Sequence, residues 1–214
     1  MYKCILPILF LVIIYNSSLA QTEPPTFESG IVQDSIYINS YFNFELSVPK
    51  GWIFHNTEKM GTLATKGTDL LAGDDKSLKT ALAESLKRTG YLLMATEFAT
   101  GAPVPLNPTI IIMSEDISAF PGIVTGADYL FHVKAIMAGS QSKIETREIK
   151  KINIGSSEFG IMEANVKSVT GTLVKQIYYS TIIKGHSISS IIAYSTDDQY
   201  KILESVINSF TSRK

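Results

Sequence analysis

The chain has 214 residues, with 19 Lys+Arg against 20 Asp+Glu and a formal net charge of -1. Charged residues make up 18% and hydrophobic residues 45%, which excludes a dominant electrostatic partner such as nucleic acid and excludes wholesale disorder. The length suits one domain with a sizeable core.

Residues 1–20 read as a secretory signal peptide. Lys3 supplies a positive start and Cys4 to Tyr15 an apolar run broken by Pro7. Asn16 to Ala20 is a short end with the small residues Ser18 and Ala20 where a signal peptidase needs them. Cleavage is expected between Ala20 and Gln21. A spanning helix needs about 20 apolar residues, so no stable membrane span is expected after cleavage. Cys4, the only Cys, lies ahead of the apolar run rather than at the cleavage point, which argues against a lipoprotein anchor. Its loss with the leader would exclude disulfides, thiol catalysis and Cys-ligated zinc from the processed chain. No usable Asn-x-Ser/Thr sequon follows, because Asn107-Pro108-Thr109 carries Pro in the middle. These features fit a bacterial protein that is secreted or periplasmic.

Gln21 to Gly30, with Pro24-Pro25, reads as a flexible arm. Residues 31–214 then read as a single domain. Ile36 to Asn39 and Tyr41 to Val48 are expected strands; in the second, Phe42, Phe44, Leu46 and Val48 alternate with polar residues, the mark of a half-buried strand. Pro49-Lys50-Gly51 turns the chain into the apolar Trp52-Ile53-Phe54. His55 to Gly73 reads as a loop with a short helix. Asp75 is expected to cap a helix over Lys76 to Arg88, with Leu78, Ala81, Leu82 and Leu86 on one face and Gly90 just past its end. Tyr91 to Phe98 and Thr109 to Ser114 have strand length, and the Pro-rich Gly101 to Pro108 joins them.

Thr125-Gly126-Ala127-Asp128 has the form of a capping box, predicting a helix to about Ala138 that ends at Gly139, with Leu130, Val133 and Met137 facing the core. Met162, Ala164 and Val166 alternate with polar residues. Gly171 and Lys184-Gly185 are short turns that make this strand, Leu173 to Ile183 and Ser187 to Tyr194 antiparallel neighbours. A last helix from about Asp197 carries the stripe Leu203, Val206, Ile207 and Phe210. The order implies an α+β domain with an antiparallel sheet.

The segment Tyr41 to Trp52, an aromatic-rich strand running into Pro49-Lys50-Gly51-Trp52, resembles the entry signature of the PsbP-like superfamily. The close from Tyr200, ending in Ser209-Phe210, is similar to that family's final helix. The resemblance implies an antiparallel β-sheet flanked by helices, an α/β/α sandwich, and it implies binding or scaffolding rather than catalysis. It assigns no binding residue.

Few residues form chemical constellations. Gly185-His186-Ser187-Ile188-Ser189 begins like a nucleophile elbow but lacks the final Gly and lies in a predicted hairpin; the hairpin reading places its polar residues outward. Gly61 to Thr68 has the Lys and Gly of a phosphate loop reversed. His55, His132 and His186 are far apart, and Asp128 with His132 shares a helix face as i,i+4, too few ligands for a metal. The Phe120 to Gly126 loop enters a helix N-terminus, where anions are favoured, but no Lys or Arg lies nearby in sequence. Arg147 to Lys151 and Arg213-Lys214 read as solvated faces. Tyr178 and Tyr179 point to opposite sides of their strand, one toward the core and the other free for an interface.

The expectation is an exported, non-enzymatic PsbP-like domain that binds a protein partner or small ligand in the cell envelope, without nucleic acid, cofactor, metal or catalytic residue. Two alternatives stand beside it. One is a secreted hydrolase with a site assembled from distant residues and His132 or His186 as base. The other is a small-ligand carrier with an apolar pocket between sheet and helix.

Overall fold

The computed structural model describes residues 28–140, 144–167 and 172–213. The expected leader with its Ala20–Gln21 cleavage point, most of the expected arm and the Gly171 turn lie outside the described residues.

The polar N-terminal stretch leads into a small antiparallel sheet. Strands β1 (Ile31–Gln33), β2 (Ile36–Asn39) and β3 (Phe44–Ser47) pair in sequence, and β12 (Thr211–Ser212) returns from the far end of the chain to pair with β3. The expected strand from Tyr41 starts only at Phe44. Asn39 Oδ1 accepts the Phe42 N–H at 2.8 Å, and Asn43 sits at φ +55°. That side-chain bond makes a turn out of Tyr41 to Asn43.

The main sheet runs β4 (Ile53–Phe54), β5 (Thr89–Thr96), β6 (Thr109–Asp116), β11 (His186–Tyr194), β10 (Leu173–Ile183) and β9 (Ser157–Lys167), all antiparallel. Beyond β9, two short strands share its outer side, β7 (Ile144–Thr146) and β8 (Lys150–Ile154). The turn between β10 and β11 has positive φ at both Lys184 (+51°) and Gly185 (+75°), the mirror-image turn that matches the twist of a hairpin.

Helices cover both faces, and this explains why the central strands read as continuous apolar runs. On one face α1 (Thr57–Ala72), α2 (Lys76–Leu86) and α3 (Gly126–Gly139) contribute Met60, Leu71, Leu82, Leu130, Val133 and Met137, which pack on Ile111, Met113, Met162, Tyr178 and Ile191. On the other face α4 (Asp197–Asn208) and the small sheet contribute Leu203, Val206, Ile207, Phe44 and Leu46. These pack on Ile110, Ile112, Tyr179, Ile188 and Ile192. The sandwich is therefore α/β/α with its second outer layer shared between one helix and a small sheet. Both tyrosines of the Tyr178-Tyr179 pair are buried, one in each core, so neither is free for an interface.

The segment His55 to Gly73 is not a loop with a short helix but the 16-residue α1. Asn56 caps it, its side chain accepting the Lys59 N–H at 3.0 Å. Gly61, Gly67 and several Thr dilute the apolar stripe in sequence, while burial of Met60, Ala64, Leu71 and Ala72 supplies the missing helix stability. Gly90 does not close α2: it lies inside β5, and the helix ends on Lys87. The predicted capping box of α3 is present in both directions, and α4 has a second one between Thr196 and Gln199.

Two glycines bring α3 into contact with the sheet. A Cβ on Gly126 would fall 1.7 Å from the Ser180 carbonyl oxygen, and one on Gly160 would fall 2.5 Å from the Ala127 nitrogen. The first turn of α3 therefore lies directly on the backbone of β9 and β10.

Candidate functional site

The residues that the sequence offered for chemistry are dispersed, and most of them are engaged in structural contacts. The three histidines stand at the end of β4, on α3 and at the start of β11, and among the described residues no group of three metal-ligating side chains forms. Asp128 does not serve His132. Its Oδ2 accepts the Thr125 N–H and Thr125 hydroxyl at 2.8 Å and the Val124 N–H at 3.2 Å, and these bonds hold the carboxyl below its ordinary value. The same bonds satisfy the Val124 and Thr125 N–H groups of the Phe120 to Gly126 loop and place a carboxylate where an anion would otherwise be attracted.

His186 is buried beneath Tyr41 and Phe42, and its Nδ1 meets the Lys184 carbonyl at 2.9 Å. It holds the small sheet's turn to the β10–β11 hairpin, a contact reinforced where the Lys184 ammonium donates to the Tyr41 carbonyl at 2.6 Å. Gly61 to Thr68 lies within α1. Arg147 and Lys151 are exposed and pair with Glu163 at 3.3 Å and Glu158 at 3.0 Å.

Ser187 and Ser189, expected to point outward, point inward and are buried. They belong to a polar network inside the first core. Ser187 lies opposite Glu115 in the β6–β11 register, and Ser180, Ser187 and Ser189 are linked through their hydroxyls at 2.9 and 3.0 Å. Glu115, 3% exposed, accepts hydrogen bonds from Ser85 at 2.7 Å, Tyr129 at 2.7 Å and Arg88 at 3.3 Å. Thr89, Met113, Ser114, Glu115, Tyr129 and Ser189 line a cavity with room for about one water molecule. Burial pushes the Glu115 carboxyl up to about 7 despite these donors, and it raises the Tyr129 hydroxyl as well. The Arg88 guanidinium closes the outer end of the network over the Phe120 ring, 5.3 Å from its centroid. The network orients α2 and α3 on the sheet.

The surface feature that stands out is α3 itself. Its inner face is buried as predicted, but its outer face is apolar too. Phe131 is 65% exposed, Val124 at the head of the helix is 71% exposed, and Ala135 and Ala138 are exposed on the same helical stripe. Asp128 and Lys134 are the charged residues of the helix. A helix that lies on a core is ordinarily apolar on one side only. The sequence signal was the run of apolar residues through α3, but that run does not by itself say which of them face out.

No protein-family model matches the chain, and no curated protein matches it. Its structure is similar to the solution structure of cyanobacterial PsbP from Synechocystis, with a TM-score of 0.47 and 15% identity over 88% of this chain and 99% of that one. It is also similar to the crystal structure of LpqN, involved in cell envelope biogenesis of Mycobacterium tuberculosis, with a TM-score of 0.44 and 12% identity over 78% and 82% of the two chains. A crystal structure from Bacteroides thetaiotaomicron is similar with a TM-score of 0.46 and 12% identity over 87% of this chain; there the chain spans 50% of the other's length. No described helix is long and apolar enough to cross a membrane.

Proposed function

We propose that the chain is an exported, non-enzymatic PsbP-like binding domain that docks a protein partner in the cell envelope through the outer face of α3. The observation that carries this reading is the exposed apolar stripe of Val124, Phe131, Ala135 and Ala138 on a helix whose other side is already buried. The leader-like residues 1–20 support export, and the resemblance of the Tyr41 to Trp52 entry supports the family.

The hydrolase alternative would need an acid beside a histidine. Asp128 is committed to its cap; Asp116, which does lie opposite His186 in the β6–β11 register, accepts the Ser118 N–H at 2.9 Å, and His186 itself is held under aromatic rings. The Glu115 cavity, with room for about one water molecule, is itself too small for an apolar ligand.

A photo-crosslinking amino acid in place of Phe131, in the full chain made in its own host, is expected to give one protein adduct that Ala135→Glu abolishes. The same probe in place of Lys201 on α4 is expected to give none. Equal adducts from both positions, or adducts indifferent to Ala135→Glu, would overturn the reading.

A further inference from the structure

We propose that His55 is an acid-sensitive latch that, when neutral, holds Lys59 against Thr100 and so fastens the Pro-rich 97–108 loop to the start of α1. This inference stands apart from the docking face on α3.

The hydrogen bonds fix both the tautomer and the direction of the chain. Lys59 Nζ lies 2.9 Å from His55 Nδ1 and also donates to the Thr100 hydroxyl. An ammonium has only protons to give, so Nδ1 presents its lone pair. Nε2 then carries the ring proton and donates to Thr96 Oγ1 at 2.9 Å, and the Thr96 hydroxyl donates onward to the Phe98 carbonyl at 2.9 Å. The charged group facing His55 is Lys59 from α1; β5 presents the neutral Thr96, the loop reaches the pair through Thr100, and the His55 N–H is donated to the Met94 carbonyl at 2.9 Å.

This arrangement holds one proton between the two nitrogens. A second proton would place an imidazolium N–H against an ammonium with no acceptor between them, and Lys59 would have to leave. Burial first, and Lys59 second, keep His55 below its ordinary value, and burial lowers Lys59 as well, so release belongs to acid below the usual histidine range. The opening is confined to the tip of the loop. Its base is fastened separately, with Asn107 bonded to both the N–H and the carbonyl of Phe98 at 2.9 and 2.6 Å, and the Glu97 N–H donated to the Pro108 carbonyl at 3.1 Å.

The test follows the His55 ring nitrogens and the backbone dynamics of residues 99–104 by NMR in the full chain across acidic pH. Neutral protein should show a bare Nδ1 and a protonated Nε2, and the order of 99–104 should be lost in step with the His55 titration. His55→Asn keeps an acceptor near the Nδ1 position but cannot titrate, so its loop should stay ordered throughout. Lys59→Met should loosen the loop at every pH and raise the His55 midpoint. A loop whose order is unchanged across the His55 titration, or a Lys59→Met protein with an unmoved His55 midpoint, would overturn the latch. Because both variants leave α3 intact, the crosslinking experiment at Phe131 fails or succeeds independently.

Discussion

The carboxyl of Glu115 keeps its proton up to about pH 7 in the folded chain, whereas an unfolded chain releases it near pH 4.3, the ordinary value of about 4.3 for Glu. Its folded value is raised, so its contribution to stability is complete below the unfolded value and lost as pH rises through about 7. Thermal unfolding of the full chain should therefore show stability falling between these limits, by an amount on the order of 3 kcal/mol. Glu115→Gln, which has no proton to lose, should flatten that slope while keeping an acceptor for Ser85. An unchanged slope in the variant would place the pH dependence elsewhere. Little of this site was legible beforehand. Glu115 follows Ser114 at the end of an apolar run, where a charge usually marks the exit of a strand into water. Its burial depends on Ser85 of α2, Arg88 of the turn that follows it and Tyr129 of α3, with no sequence proximity to announce them. The alternation of Ser187 and Ser189 with Ile188 was visible, but alternation shows two faces without saying which is wet.

At the scale of elements, the position of α3 depends on two residues without side chains. Gly126→Ala would force a methyl group into the Ser180 carbonyl, so α3 must lift from the sheet, at a cost of about 3 kcal/mol or more by urea unfolding. Gly139→Ala, at the other end of the same helix, meets nothing within 4 Å and should change stability by less than about 1 kcal/mol. Equal effects would show that the close approach does not position the helix. Elements with local signals were readable from the sequence: the capping box of α3, the Asp75 cap of α2, the Lys184-Gly185 turn and the apolar stripe of α4. The elements that escaped were those whose stability is tertiary. α1 has a stripe broken by Gly and Thr, and β1, β7, β8 and β12 are short strands that exist because a neighbour offers its edge.

At the scale of the whole molecule, one sheet forms a wall of both cores, and its strands send alternate residues into each. Loss of either core exposes a face of the other's wall, so the two should unfold together. Trp52, the chain's only Trp, is buried in the core on the α4 side and reports on it by fluorescence. Far-UV dichroism follows the helices, three of which lie on the opposite side. Leu82→Ala, in that opposite core, should lower both transitions equally, by about 2–5 kcal/mol. Separate shifts would divide the molecule into two folding units.

The margins of both sheets carry a different consequence. β1, β4, β7 and β12 run only two or three residues, and the longer β8 opens with the exposed pair Lys150-Lys151. A second molecule seeking to extend either sheet by backbone pairing finds a few unpaired groups and then charge or a chain reversal. On the docking reading proposed for α3, the contact with a partner is made by side chains and has no backbone template along which copies of the chain could polymerise.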